Sequence, residues 1–203
     1  NQEWMSGWAR RRGATMVVGA VTSALGSSRN AAVLVGGDGS LSGFYYKRRL
    51  VPFGEFVPLR GWLEGWIGIL AEMGDFDAGE PRQRLFTTPL GLLSASICYE
   101  AVFPHLLRLD SARGARVFAN LTNDGWYKDT SGPIQHFYTN MFRAVENRVT
   151  VLRAANTGIS GAIDPYGVWH ELVRIGIGLA AFGVVAAWPW RQVDAPGPGL
   201  ARS

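Results

Sequence analysis

Short apolar runs without a charged side chain, fenced by glycine, proline and polar loops, constrain this chain more than any other feature. Leu90 to Ile97 and Val117 to Leu121 are of this kind, and such runs suit strands buried on both faces of a sheet. Thr15 to Val21 is a β-branched run between Gly13 and a loop expected over Ser23 to Ser28. Ala31 to Val35 ends at Gly36-Gly37-Asp38-Gly39, a strong turn signal that predicts a hairpin into Phe44-Tyr45-Tyr46. Thr150 to Ala154 and Ile159 to Ile163 add two strands, with Asp164-Pro165-Tyr166-Gly167 as the next turn.

Helices fall between these runs. Phe103 to Ala112 reads as one. Pro133 to Arg148 is the strongest, because Ile134, Phe137, Tyr138, Met141, Phe142 and Val145 recur at the spacing of one buried face. Ser131 is placed to cap it, and Pro133 suits its first turn. Strands alternating with helices, together with hairpins, predict an α/β sandwich. The 203 residues fit one domain, expected over residues 1–193, with a Pro/Gly-rich tail at 194–203.

Two stretches raise the question of a membrane. Ile175 to Trp190 carries no charge over 16 residues, but a spanning helix needs about 20 and this run is broken by glycines and Pro189. Phe182 to Trp188 is expected to be a buried strand. Phe56 to Phe76 crowds Trp62, Leu63, Trp66, Ile67, Ile69 and Leu70 among charged residues. It reads either as a helix on the core or as an arm dipping into a bilayer interface.

The charge balance is mild, +4 with a pI near 9.6. Arg10-Arg11-Arg12 and Lys47-Arg48-Arg49 are too short for a nucleic-acid tail, so nucleic acid is not an expected partner; a solvated surface is the plain reading and attraction to anionic lipid the sharper one. The single cysteine, Cys98, precludes an intramolecular disulfide. His105, His136 and His170 lack zinc-ligand spacing, so no metal is expected.

Cys98 stands at the exit of a predicted strand, in Ser94-Ala95-Ser96-Ile97-Cys98-Tyr99-Glu100. A cysteine there is either a small buried hydrophobe or a nucleophile presented at a strand-to-helix turn. Glu100 favours the second, since a carboxylate at an apolar strand end needs a polar partner. Tyr45 to Glu55 (YYKRRLVPFGE) holds Lys47 directly after an aromatic strand. Downstream come Asn120 to Tyr127 (NLTNDGWY), Gly132 to Phe137 (GPIQHF), Arg143 to Arg148 (RAVENR) and Arg153 to Gly161 (RAANTGISG). Singly, each also reads as a helix cap or a polar core.

In this order and spacing the strings resemble the apolipoprotein N-acyltransferases, a branch of the nitrilase superfamily, over about Thr15 to Gly167. The resemblance implies a nitrilase-like αββα sandwich on the periplasmic face of the bacterial inner membrane, part of a larger protein carried on membrane helices. It implies that Cys98 takes an acyl chain from a phospholipid as a thioester and passes it to the α-amine of a diacylglyceryl-cysteine apolipoprotein. Carried over by motif, Lys47 binds the oxyanion with the backbone N–H of Tyr99, while Glu55 and Glu100 orient Lys47 and the acceptor amine. Arg143 and Glu146 are assigned to structure. The superfamily also uses a glutamate general base ahead of the first strand. Glu3 is the one acidic residue there and reads as part of a helix, so the base is expected upstream of Asn1. Two alternatives stand beside this reading: a soluble carbon–nitrogen hydrolase using water, and an inactive membrane-associated fragment lacking the base.

Overall fold

The computed structural model describes residues 2–24, 27–58, 76–171, 183–184 and 192–194. Two β-sheets stack face to face; among the described residues one helix covers the outer side of the first and two that of the second. Helix α1 (Gln2–Arg12) leads into β1 (Met16–Ala24), β2 (Ser27–Val35) and β3 (Leu41–Tyr46), which pair antiparallel in sequence order. The strands run through most of the loop expected over Ser23 to Ser28, since Ala24 still pairs with Ser27.

The second sheet is β4 (Phe86–Thr88), β5 (Gly91–Ile97), β6 (Val117–Thr122), β7 (Thr150–Ala155), β8 (Gly161–Ile163) and β9 (Trp169–Glu171), in that order. β5, β6 and β7 are parallel and the outer strands antiparallel. The parallel crossovers run through α2 (Pro104–Ala112) and α3 (Gly132–Asn147). Beyond β9, β10 (Gly183–Val184) and β11 (Gln192–Asp194) both pair parallel with β1. The strand expected over Phe182 to Trp188 is described only at Gly183–Val184. Residues 59–75 of the tryptophan-rich segment, and 195–203 of the tail, lie outside the described residues. Among the described residues no helix is long and apolar enough to cross a membrane.

Alternation along the strands builds the layers. Val17, Ala32, Leu34 and Tyr45 from the first sheet meet Leu93, Ala95, Ile97, Ala119 and Leu121 from the second. Met5 and Ala9 of α1 cover Met16, Val18, Val33 and Val35 on the opposite face of the first sheet. Leu106 and Leu107 of α2 and Phe137 and Ala144 of α3 cover Phe118, Val151 and Ile163 on the second. This is the αββα sandwich.

Helix α3 departs from its sequence reading. Phe137 is buried, but Ile134, Tyr138, Phe142 and Val145 are exposed, Phe142 by 61%. The inward positions belong to His136, Asn140, Arg143 and Ala144. The helix turns a polar face inward because that face meets the turn after β5, where Arg143 donates to the Ala101 and Val102 carbonyls and His136 reaches the Cys98 carbonyl. Ser131 holds the cap position without a side-chain capping bond, and Arg148 closes the helix in a left-handed conformation.

Candidate active site

Cys98 opens a short 3-10 helix (Cys98–Val102) at the end of β5. Its φ of 54° lies in the left-handed region, which costs a non-glycine residue about 1 kcal/mol or more and persists only where the surroundings enforce it. The half-buried thiol is thereby turned out of the strand, as at a nucleophile elbow.

Lys47 directly follows β3. Its N–H continues the ladder to the Asn30 carbonyl at 2.8 Å, and its side chain, on the same face as Tyr45, is 1% exposed. A buried ammonium requires a counter-charge. Glu55 supplies it, accepting from Nζ at 2.7 and 2.6 Å through its two oxygens. Asn30 Nδ2 and the Val51 N–H also donate to Glu55, so the carboxylate is fixed before it fixes the lysine. Lys47 and Arg48 are therefore interior residues, and of the Lys47-Arg48-Arg49 run only Arg49 has the solvated setting of the plain reading.

Glu100, fully buried, ties the lysine loop to the cysteine elbow. One of its oxygens accepts from the Arg48 and Arg49 N–H groups at 2.7 and 3.1 Å. The other accepts from the Tyr45 hydroxyl and the Ile97 N–H, both at 2.7 Å. Residues on either side of Lys47 and on either side of Cys98 thus share one carboxylate. Burial pushes the Glu100 carboxyl up, against those four hydrogen bonds, which pull it down. Burial, then the charge of Glu100, pushes the Tyr45 hydroxyl well above its ordinary range. Arg48 extends the tie, donating to Tyr45 Oη at 3.0 Å and to Asp110 of α2 at 2.9 Å.

Behind the elbow, the Cys98 carbonyl accepts from Asn120 Nδ2 at 3.2 Å and from His136 Nε2 at 3.1 Å. Arg153, fully buried on β7, donates to Asn120 Oδ1 and to Asp124. Asp124 also faces His136 Nδ1 at 2.9 Å. Burial alone would raise the Asp124 carboxyl, but the bond from His136 and the charge of Arg153 outweigh it and hold it below the usual range. Burial raises the Tyr127 hydroxyl above its ordinary range.

Of the five residues singled out in the sequence, Lys47 and Glu55 are in direct contact, and Glu100 connects their loop to Cys98 through the backbone. The Tyr99 ring is 41% exposed and packs edge-on against Phe103, so only its backbone N–H belongs to the elbow. Glu3 is exposed on α1, which covers the opposite face of the first sheet from Tyr45 and Lys47. Asn30, Tyr45, Asn120, Asp124, His136 and Arg153 escaped the sequence reading as site residues. Five of them, all but Asn30, lie inside the motif strings, at positions that face inward.

The carbon–nitrogen hydrolase family model matches residues 2–178. An apolipoprotein N-acyltransferase of Geobacter metallireducens is 38% identical over 174 residues, covering 78% of this chain and 33% of that protein. One from Agrobacterium fabrum is 43% identical over 145 residues, covering 68% and 26%. The chain thus spans about a third or less of the length of these relatives. Among solved structures, the NitFhit protein of C. elegans superposes with a TM-score of 0.67 at 22% identity, covering 83% of this chain and 41% of that one; this likeness is one of fold.

Proposed function

The chain belongs to the carbon–nitrogen hydrolase family, and from that premise we propose that it is the acyl-transferring domain of an apolipoprotein N-acyltransferase. The Cys98 thiolate attacks the ester carbonyl of a phospholipid, and the carbonyl oxygen takes the negative charge. Lys47 Nζ and the Tyr99 N–H bind that oxyanion, the kind of fixed donor that contributes most to acyl transfer. Collapse breaks the ester C–O bond, the lysophospholipid oxygen takes a proton, and a thioester remains on Cys98. The α-amine of a diacylglyceryl-cysteine lipoprotein then attacks the thioester and gives up one proton, which balances the one taken by the lysophospholipid, forming an amide and returning the thiolate. No cofactor is required, because the cysteine carries the covalent step.

The observation that carries the proposal is the Glu100 tie, which locks a lysine loop and a strained cysteine elbow into one rigid unit. Roles follow from contacts: Glu55 holds the ammonium, and Glu100 holds the backbone on both sides of the reaction. The transferase reading takes its substrates from the relatives, whose names specify N-acyl transfer. Exposed Phe53, Tyr99 and Trp126, on or beside segments bearing the site, agree with a lipid donor; the periplasmic face of the inner membrane is carried over from the family resemblance alone.

The test is acylation of the protein by phospholipid in detergent micelles, read as intact mass and mapped by peptide. It is run on residues 1–203 and on a form extended upstream of Asn1, each beside a Cys98→Ala control. A hydroxylamine-labile acyl adduct on Cys98, discharged by a lipopeptide amine, is expected in the extended form. Adduct in both forms would relocate the general base to within these residues. A folded extended form that takes no adduct defeats the proposal, and discharge by water alone would favour a hydrolase.

A further inference from the structure

We propose that His136, backed by Asp124, is a positioning residue for the oxyanion, acting through the peptide unit that joins Cys98 to Tyr99. The inference rests on the acyl-transfer reading above. It starts from a covalent fact: the carbonyl that His136 and Asn120 grip and the N–H assigned to the oxyanion are two ends of one planar peptide. Fixing and polarising one end acts on the other.

The hydrogen assignments follow from the partners. A carbonyl oxygen only accepts, so His136 Nε2, 3.1 Å from Cys98 O, carries a hydrogen. Asn120 Oδ1 accepts from Arg153 Nη1 at 3.0 Å, so its Nδ2 faces the same carbonyl at 3.2 Å. Both lone pairs of Cys98 O are therefore engaged by donors from two elements, α3 and β6. His136 is itself held from behind, its Nδ1 2.9 Å from Asp124, which also takes Thr122 Oγ1 at 3.0 Å and Arg153. His136, Asp124, Asn120 and Arg153 are all buried. None of them faces solvent, and none is placed to bind substrate; their common target is the elbow carbonyl.

Two consequences follow. Two hydrogen bonds into the carbonyl draw electron density toward oxygen and leave the Tyr99 N–H a stronger donor, an effect that is larger where water is excluded. The same bonds fix the peptide plane, so the N–H is aimed before the oxyanion forms, as electrostatic preorganisation requires. Tyr99 is the second residue of the 3-10 helix, so its N–H precedes the first intrahelical bond and remains available.

A residue that merely held the elbow's shape would affect every reaction of Cys98, whereas this role affects only those that develop an oxyanion. The experiment compares, in the full-length gene product in micelles, Cys98 acylation by a p-nitrophenyl ester with Cys98 alkylation by iodoacetamide. Alkylation displaces iodide at a saturated carbon and forms no oxyanion. His136→Phe is expected to slow acylation about 10- to 100-fold, below the loss seen for deleting a direct oxyanion donor, with alkylation within about threefold. Asp124→Asn, near-isosteric and less disruptive to folding, is expected to slow acylation about tenfold, again sparing alkylation. His136→Gln, which keeps a donor, is expected to recover much of the loss. Equal slowing of both reactions in either variant, or unchanged acylation in a folded His136→Phe, overturns the proposal. A wild-type protein that is alkylated but never acylated at Cys98 refutes the acyl-transfer reading itself, and this inference with it.

Discussion

The Arg153–Asp124 pair offers the sharpest energetic test of how this site is held. Both side chains are essentially sealed from solvent, and they hydrogen-bond each other at the centre of the network behind the elbow. Arg153→Met keeps most of the volume and removes three donors. Asp124 is left as a buried carboxylate facing only His136 and Thr122, while Asn120 Oδ1 and the Ile159 carbonyl lose partners they hold at 3.0 Å. Breaking a buried pair from one side costs about 3–5 kcal/mol, because the remaining carboxylate loses its guanidinium partner where water cannot replace it. With two further acceptors exposed to the same fate, about 4–5 kcal/mol is expected. For a domain of this size that is a fall in Tm of roughly 10–15 °C. Asp124→Asn is expected to cost less, about 2 kcal/mol, since an amide still accepts from Arg153. The double variant is expected to fall short of the sum by about 1–3 kcal/mol, the range of contacting groups in one network. Urea unfolding followed by tryptophan fluorescence reads all four corners of the cycle. An Arg153→Met penalty under about 1 kcal/mol, or strict additivity, would refute the claim that this pair bears on the elbow's stability.

Three further outcomes follow. Glu55→Ala strands the Lys47 ammonium, 1% exposed, and is expected to cost about 3 kcal/mol in urea melts besides abolishing acylation; a neutral effect on stability would mean that Lys47 swings to solvent. Cys98→Gly is expected to be about 1 kcal/mol more stable than Cys98→Ala, because glycine removes the penalty of the 54° φ; equal stabilities would show that the elbow relaxes. Asp124 is held below its ordinary value of 3.8, so its contribution is complete above that pH and is lost as pH falls through the depressed folded value. Asp124→Asn should flatten the acid limb below about pH 4 in pH-dependent melts, and an unchanged limb would assign acid loss to other groups.

The longer strands and α2 were legible because their signals are local: short, mostly apolar runs have few other homes, whereas β4, β9 and β11 carry no such run and the order of layers came with the family resemblance. Cys98, Lys47, Glu55 and Glu100 were legible as residues because they sit in distinctive strings. What escaped was anything decided through space. The apolar period of α3 pointed to Ile134, Tyr138 and Phe142 as its buried face, yet those side chains are exposed, because the elbow presents carbonyls that His136 and Arg143 meet. Tertiary polar demand overrode amphipathicity. The same demand drew Lys47 and Arg48, read as a solvated basic run, into the interior. The motif paired Glu55 with Lys47 eight residues away, but no linear pattern reveals that Glu100 serves the backbone of a loop more than fifty residues away.

Three carboxylates, Glu55, Glu100 and Asp124, each spend their hydrogen-bonding capacity on donors around Cys98: an ammonium, a set of backbone N–H groups, and an imidazole. Buried carboxylates are costly unless fully satisfied, and satisfying them immobilises the very groups that an oxyanion would need. Fixed donors need no reorganisation when charge develops, which is what makes them effective. Stability and acylation should therefore fall together when a supporting residue is removed, since each removal strands a buried partner. Cys98 is expected to reverse that sign: it holds a left-handed φ that glycine would hold more cheaply, and under the proposed acyl transfer its loss removes the nucleophile itself. A position where replacement stabilises the fold and abolishes the reaction marks where strain has been kept for function.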